Sequence, residues 1–182
     1  GEALVRGDVK AERLERWRAF IAQHPNAVLY CFRGGMRSKI SQRWLHDDLA
    51  IDCPRVRGGY KAMRRFLLDQ IEQNSVRCRP VVVGGRTGVG KTRFLLQCDP
   101  AIDLEGLAHH RGSAFGQHPE PQPTQISFEN AFSIALMKRV ADDNRTFLVE
   151  DESRNIGSRH IPPSFFARME QAPLVLLEAG FE

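Results

Sequence analysis

Three groups of residues in this sequence have types and spacings that could do chemistry. The first is Gly85-Arg86-Thr87-Gly88-Val89-Gly90-Lys91-Thr92, which meets the full Gly-x-x-x-x-Gly-Lys-Thr pattern of a phosphate-binding P-loop. Its glycines would let backbone N–H groups turn inward around phosphate oxygens, and a following helix N-terminus would add partial positive charge. Lys91 is placed to reach the outer phosphates and Thr92 to offer a hydroxyl to Mg²⁺. A glycine-rich strand-to-helix turn alone would not require Lys-Thr to follow. The second group is Cys31-Phe32-Arg33-Gly34-Gly35-Met36-Arg37-Ser38. Its Cys-x5-Arg spacing before a helix predicts an anion cradle. Loop N–H groups, Arg37 and the helix N-terminus would converge on the sulfur and favour thiolate over thiol. A thiolate ringed by donors can attack phosphorus or accept a sulfur-type atom. Cys31 and Arg37 are therefore the expected catalytic residues, with Arg33, Gly34, Gly35 and Met36 completing the anion loop. A buried structural cysteine is the competing reading, and the flanking glycines and arginines argue against it. The third group is Glu150-Asp151-Glu152, at the end of an apolar run. Asp151 is the expected Mg²⁺-side acid, paired with Thr92. Glu150 is close behind, and Glu152 is placed to orient water. Apolar-then-acid is common at strand ends, so this third signal is the loosest.

The elements that must position these groups alternate between helix and strand. Residues 9–23 read as a helix with Leu14, Trp17 and Ile21 on one stripe. Ala27 to Tyr30 and Pro54 to Val56 read as short strands, the first of them buried. A helix from about Ser38 to Leu49 turns Ile40, Trp44 and Leu45 inward. Another runs from Gly58-Gly59 to about Gln73 and buries Met63, Phe66, Leu67 and Ile71. Val81-Val82-Val83 is a strand leading into the P-loop pattern, and a helix starts at about Gly90. Residues 109–123 form a long loop rich in Gly, Pro, His and Gln, of a length that is often functional. Phe128, Ala131, Phe132, Ala135 and Leu136 make a helical stripe, and Thr146 to Val149 and Leu174 to Leu177 are the last strands. The expected class is α/β with parallel sheets. Two domains are expected, residues 1–76 and residues 77–182.

Composition narrows the function. Of 182 residues, 42% are hydrophobic and 26% charged, which is ordinary for a globular chain. No apolar run is long enough to span a bilayer, no secretory pattern opens the chain, and a cytoplasmic location is expected. Cys31, Cys53, Cys78 and Cys98 form no Cys-x-x-Cys pair or zinc-ligand spacing, so a reducing compartment fits them. Cys53 is the one conceivable resolving thiol for Cys31. Residues 1–80 carry 16 Lys and Arg against 9 Asp and Glu, a net of +7, whereas residues 81–182 carry 10 against 13, a net of −3. A basic half joined to a mildly acidic half points to a polyanion partner for the first half. Some of Arg55, Arg57, Lys61, Arg64 and Arg65 are the expected contacts to a nucleic-acid backbone.

The cysteine loop, with Pro54-x-Val56-x-Gly58-Gly59 downstream, resembles the C-terminal half of a rhodanese domain. A rhodanese half followed by a P-loop segment resembles the bacterial tRNA 2-selenouridine synthase family. Finer strings agree: Tyr30-Cys31-Phe32-Arg33-Gly34-Gly35, Gly58-Gly59-Tyr60-Lys61, Asp103-Leu104-Glu105-Gly106-Leu107, His110-Arg111-Gly112-Ser113 and Glu150-Asp151-Glu152-Ser153-Arg154. The resemblance implies a partial rhodanese-like domain followed by a partial P-loop NTPase-like parallel-sheet domain. It implies a tRNA-modifying transferase that replaces the sulfur of wobble 2-thiouridine with selenium from selenophosphate. It also implies S-geranylation of that sulfur from geranyl diphosphate. Cys31 would be the essential rhodanese cysteine and Gly85 to Thr92 the holder of a phosphate or diphosphate. No tightly bound cofactor is implied, with Mg²⁺ the one expected ion. Phe115, Phe128 and Phe132 are candidates to line a geranyl site, and His109, His110 and Arg111 to face substrate. Family chains are about twice this length, so a central fragment is expected. Two other functions remain open: a Cys-dependent phosphatase, and a P-loop ATPase or kinase with a rhodanese-like module.

Overall fold

The computed structural model describes residues 7–110, 119–141 and 145–178. Arg111 and Phe115, named above as candidates to face substrate or the geranyl chain, lie outside these residues, as does most of the string from His110 to Ser113. The chain divides into two compact units, one ending at Arg65 and one beginning at Phe66.

In the first unit, helix α1 (Gly7–Gln23) and helix α2 (Met36–Leu49) meet around a small core. Leu14, Leu45 and Cys53 are buried, with Trp17, Ile21, Leu29, Trp44, Leu49 and Ile51 partly buried against them. Lys10 ties the two helices, bridging Asp48 at 2.7 Å and standing 5.3 Å over the Trp44 ring. The expected stripe on α1 is therefore the buried one. On α2 Leu45 is fully buried, but Ile40 is exposed, contrary to expectation. α2 ends on Ala50, a non-glycine residue in the left-handed region, whose N–H donates to His46 O. The expected buried strand at Ala27–Tyr30 is not formed. Leu29 makes one parallel bridge to Arg55, donating to Pro54 O and accepting from Val56 N–H. A strand needs a continued ladder to satisfy its backbone. Here Val28 and Tyr30 point outward and are exposed, so one rung is all that forms.

Helix α3 (Gly59–Arg77) begins in the first unit and ends in the second. The expected boundary after residue 76 is thus displaced into α3. The reason is packing: Ile71 and Cys78 are buried in the core of the second unit. Phe66, expected inside, is half exposed.

The second unit is built on a parallel sheet. Strand β1 (Arg79–Gly85) leads into the P-loop pattern, followed by helix α4 (Lys91–Gln97), strand β2 (Ala101–Ile102) and helix α5 (Leu104–Ala108). Helix α6 (Gln125–Ala141) precedes strand β3 (Thr146–Glu150). A short antiparallel pair, β4 (Asn155–Ile156) and β5 (Arg159–His160), leads to helix α7 (Pro163–Met169) and strand β6 (Leu174–Leu177). The sheet order is β2-β3-β1-β6. β1 pairs in parallel with β3, Val82 opposite Val149 and Val83 opposite Glu150, so the acid run ends beside the glycine loop. Buried Val82, Phe147 and Val149 face helices carrying Phe128, Phe132, Leu136 and Phe165. The Phe132 and Phe165 rings meet at 4.7 Å. Full burial of each such ring is worth roughly 1.5–3 kcal/mol. Phe128 and Phe132 are completely buried, so they belong to this core and do not line a site for a geranyl chain. Among the described residues no helix is long and apolar enough to cross a membrane.

Candidate functional site

The cysteine loop is held by its surroundings on three sides. Tyr60 N–H donates to Cys31 O at 3.0 Å and Lys61 N–H to Phe32 O at 3.1 Å. Arg55 Nη1 donates to Gly34 O at 2.7 Å. This approach is close enough to demand glycine. A Cβ on Gly59, whose φ is +62°, would collide with the Cys31 carbonyl oxygen and the Gly34 nitrogen. The glycine pair at 58–59 therefore does more than stop an extended segment: it lets the start of α3 press against the cysteine loop.

The Cys31 sulfur lies 3.2 Å from Ser38 Oγ, and Ser38 is buried in the first turn of α2. Ser38 Oγ also lies 3.2 Å from Gly35 O, to which it donates. With the thiol protonated, S–H can donate to Ser38; with the thiolate, the Ser38 hydroxyl can turn to the sulfur. The Cys31 thiol is lowered from 9.0 to about 7. The Ser38 hydroxyl is the largest cause, followed by the Ser38 N–H. Partial desolvation opposes them, and the Arg33 and Gly35 N–H groups add to them. Near neutral pH the side chain is thus divided between thiol and thiolate. Arg37, expected to help, is exposed and is not among the groups that lower the thiol. Its place is taken by Ser38, which the sequence signalled only as a short polar residue in the first helical turn.

The other cysteines differ from Cys31. Cys53 is buried, and desolvation pushes its thiol up, which disfavours the resolving role considered for it. Burial likewise pushes Cys78 up to about 11. Of the basic residues expected to meet RNA, Arg57, Lys61 and Arg65 are exposed and Arg64 is half-buried. Arg55 is the correction. Its guanidinium is committed to Gly34, and its Nε is buried, so it positions the loop and is not a free surface cation. Exposed Met36 and Arg33 flank the loop mouth.

In the second unit, Gly85 to Gly90 turns from β1 into α4. Gly85 has φ +148°, and a Cβ there would stand 2.7 Å from Leu177 O on the neighbouring strand. Gly90 has φ +98° and caps α4. Lys91 Nζ donates to Gly85 O at 2.8 Å and lies 3.5 Å from Arg86 O, folded back over the loop it follows. An ammonium held by two neutral carbonyls has a stronger partner in a phosphate oxygen. α4 is only seven residues long, so Lys91 and the loop N–H groups, more than a helix dipole, carry the positive character.

The acids are arranged differently from expectation. Thr92 Oγ1 donates to Glu105 Oε2 at 3.0 Å, so its carboxylate partner is Glu105 and not Asp151. Glu105 lies in the first turn of α5, which Asp103 caps by accepting from Gly106 N–H at 2.6 Å. The string Asp103-Leu104-Glu105 was a signal, but nothing in it revealed which acid would reach Thr92. Asp151 is exposed; its N–H donates to Val83 O, and its Oδ2 sits over Gly84. Glu150 is fully buried, one oxygen accepting from Leu104 N–H at 2.9 Å and the other unpartnered. Burial raises its carboxyl to about 8. Burial, then the shared hydrogen bond and charge of Glu105, raise Glu152 to about 7, while the Lys91 ammonium pulls it down. Glu105, Glu152, Lys91 and Thr92 thus form one coupled group at the glycine loop.

The family described as tRNA 2-selenouridine synthase AAA domain matches residues 78–182, more than half of the chain. The chain belongs to the tRNA 2-selenouridine synthase family. A tRNA 2-selenouridine synthase of Cupriavidus pinatubonensis is 52% identical over 182 residues, all of this chain and 50% of the relative. One from Marinobacter nauticus is 49% identical over 182 residues, covering 49% of that protein. One from Bordetella bronchiseptica is 53% identical over 178 residues, 98% of this chain and 48% of the relative. The chain spans about half the length of the curated relatives it matches. No solved structure matches it. The family match covers the glycine loop, Glu105 and the acids after β3, while the relatives' alignments extend across the cysteine loop as well.

Proposed function

We propose that this chain carries the two reacting loops of a tRNA-modifying transferase that exchanges the sulfur of wobble 2-thiouridine for selenium. The observation that carries the reading is Cys31, a partly exposed cysteine whose thiol sits at about 7 among hydroxyl and N–H donors, in a chain similar along its whole length to proteins named tRNA 2-selenouridine synthase. The first unit, in this reading, is part of a rhodanese-like domain, and the second a P-loop domain.

Selenophosphate is the selenium donor in this scheme. The Cys31 thiolate attacks phosphorus, an S–P bond forms, the P–Se bond breaks, and selenide leaves with the electron pair of that bond. Water then hydrolyses the S-phosphocysteine to phosphate and free thiol. The loop N–H groups that stabilise the thiolate are placed to bind the transferred phosphoryl oxygens. At the second loop, geranyl diphosphate would be held by Lys91 and the backbone of Gly85 to Thr92. The thione sulfur attacks geranyl C1, the C–O bond breaks and diphosphate departs. Selenide then adds at C2 of the alkylated uridine and expels geranyl thiolate, a better leaving group than the unalkylated sulfur. No ATP hydrolysis is needed. Mg²⁺ would supply charge neutralisation for the diphosphate. Thr92 and Glu105 are the residues that would hold it, since a hydroxyl and one carboxylate beside substrate oxygens suit that ion. Among the described residues no three His, Cys, Asp or Glu converge on a cation, so phosphate oxygens would have to complete the shell.

The test uses a protein spanning the full length of the relatives, with tRNA containing 2-thiouridine. Mass spectrometry of the wobble nucleoside should show selenium on addition of selenophosphate and geranyl on addition of geranyl diphosphate. Cys31→Ala should abolish the first gain. Selenation by the Cys31→Ala protein at the normal rate would sink the role given to Cys31. Hydrolysis of an aryl phosphate that outruns any reaction on tRNA would favour the phosphatase reading instead.

A further inference from the structure

The exposed residues beside Cys31 include more apolar surface than the loop's own packing requires. Phe32 is half exposed, and its ring stacks on Tyr60 with centroids 6.1 Å apart and planes 19° from parallel. Lys61 Nζ stands 5.7 Å from the Phe32 ring centroid. The backbone fixes this arrangement. Tyr60 N–H donates to Cys31 O and Lys61 N–H to Phe32 O, so ring pair and nucleophile share one hydrogen-bonded junction. Arg33, Arg37 and Arg57, all exposed, lie within a few residues of Phe32 or Tyr60 along the chain. A half-exposed ring with an ammonium over it, in a basic stretch of the chain, suits a base carried on a polyanionic backbone.

We propose that the Phe32–Tyr60 pair is a stacking platform for an unpaired base of a single-stranded RNA segment, presented next to Cys31. This deepens the tRNA reading above and rests on it. The chemistry discriminates between occupants. A protein partner would want apolar side chains against Phe32, whereas Lys61 over the ring and the exposed arginines close by in sequence complement phosphates. Duplex RNA keeps its bases stacked on one another and offers no face to an aromatic ring. A loop or end, with bases splayed out, does. Specific contact to phosphates would come from the cations, and contact to the base from the rings.

Binding of this chain to two RNA probes, measured by fluorescence anisotropy, tests the proposal. One probe is an unmodified anticodon stem–loop; the other is a duplex of equal length whose two ends are closed by non-nucleotide linkers. Phe32→Leu keeps apolar packing in the loop but removes the aromatic face. It should weaken stem–loop binding by roughly five- to hundredfold, as expected for loss of one base stack. The salt dependence should stay the same, because no phosphate contact is lost. Duplex binding should not change, and Phe32→Trp should restore stem–loop affinity. Iodoacetamide reaction at Cys31 serves as the readout of loop integrity. Should Phe32→Leu disturb that rate, Phe32→Trp compared with Tyr60→Leu carries the test. Stem–loop affinity unchanged in Phe32→Leu and Tyr60→Leu overturns the platform while leaving the tRNA reading intact. Equal losses for stem–loop and duplex overturn it as well. A wild-type chain that binds neither probe overturns both.

Discussion

The cysteine loop and the glycine loop both gather anion-binding groups at the start of a helix, yet they reach that end by opposite physical routes. At Cys31 the charge sits on the protein itself, and neutral donors hold it: the Ser38 hydroxyl and the N–H groups of Arg33, Gly35 and Ser38. At Gly85 to Thr92 the cation is the protein's, and Lys91 is held over backbone carbonyls with Glu105 and Glu152 close by. In the proposed function one loop generates a nucleophile and the other binds an anion. Their supports differ as well. The first unit has a thin core of Leu14, Leu45 and Cys53, whereas the second buries a large aromatic and aliphatic cluster around its sheet.

The comparison breaks most decisively at the reacting groups. Cys31→Ser should abolish selenium transfer and leave geranyl diphosphate binding untouched, while Lys91→Ala should weaken that binding on the order of ten- to hundredfold, by loss of a charge-assisted contact, with Cys31 alkylation unchanged. Calorimetric titration and thiol alkylation read the two effects separately. If each substitution impaired both readouts equally, the division of labour would be wrong.

A somewhat smaller effect is expected from Gly59→Ala. The new methyl must displace the Cys31 carbonyl and the Gly34 nitrogen. Thermal unfolding should show a loss of about 1–3 kcal/mol, and the Cys31 alkylation rate should fall with it. A wild-type melting curve would show that the junction relaxes without strain.

Ser38→Ala sharpens the account of the thiolate. Removing the largest lowering influence should move the Cys31 titration from about 7 back toward 9.0. Alkylation at neutral pH should slow several-fold, on the order of tenfold at most, with the rate recovered at higher pH. An unshifted pH profile would return the credit to Arg37.

The most pH-dependent effect belongs to Glu150. Its folded carboxyl titrates at about 8, above the ordinary 4.5. A group raised on folding contributes its stability fully below the unfolded value and loses it as pH rises through the folded value. The melting temperature of the chain should therefore decline between about 4.5 and about 8. Glu150→Gln, neutral throughout, should flatten that decline. An identical pH profile in the variant would mean that Glu150 is not the group responsible.

Much of this was legible in the residues. The order Gly-x-x-x-x-Gly-Lys-Thr after an all-valine strand, and cysteine followed by glycines and arginine, located both loops, because backbone turns of this kind need glycine wherever the chain goes next. The helical stripes of α1 and α6 were read correctly from their period. Pairing across distance is not written in local sequence. Ala27–Tyr30 has the composition of a buried strand, but composition does not supply a neighbouring ladder, and only Leu29 finds one. Arg55 counts as a surface cation until the fold sets its guanidinium on Gly34.

The sequence by itself determined where the thiol, the ammonium and the glycine turns lie, since these depend on residue type and local spacing. Only the tertiary structure decided their partners. Ser38 rather than Arg37 lowers Cys31, and Glu105 rather than Asp151 takes the Thr92 hydroxyl. The physical reason is the same in both cases. A charge is tuned by the groups within a few ångströms of it, and those are chosen by the packing of separate elements, not by their distance along the chain.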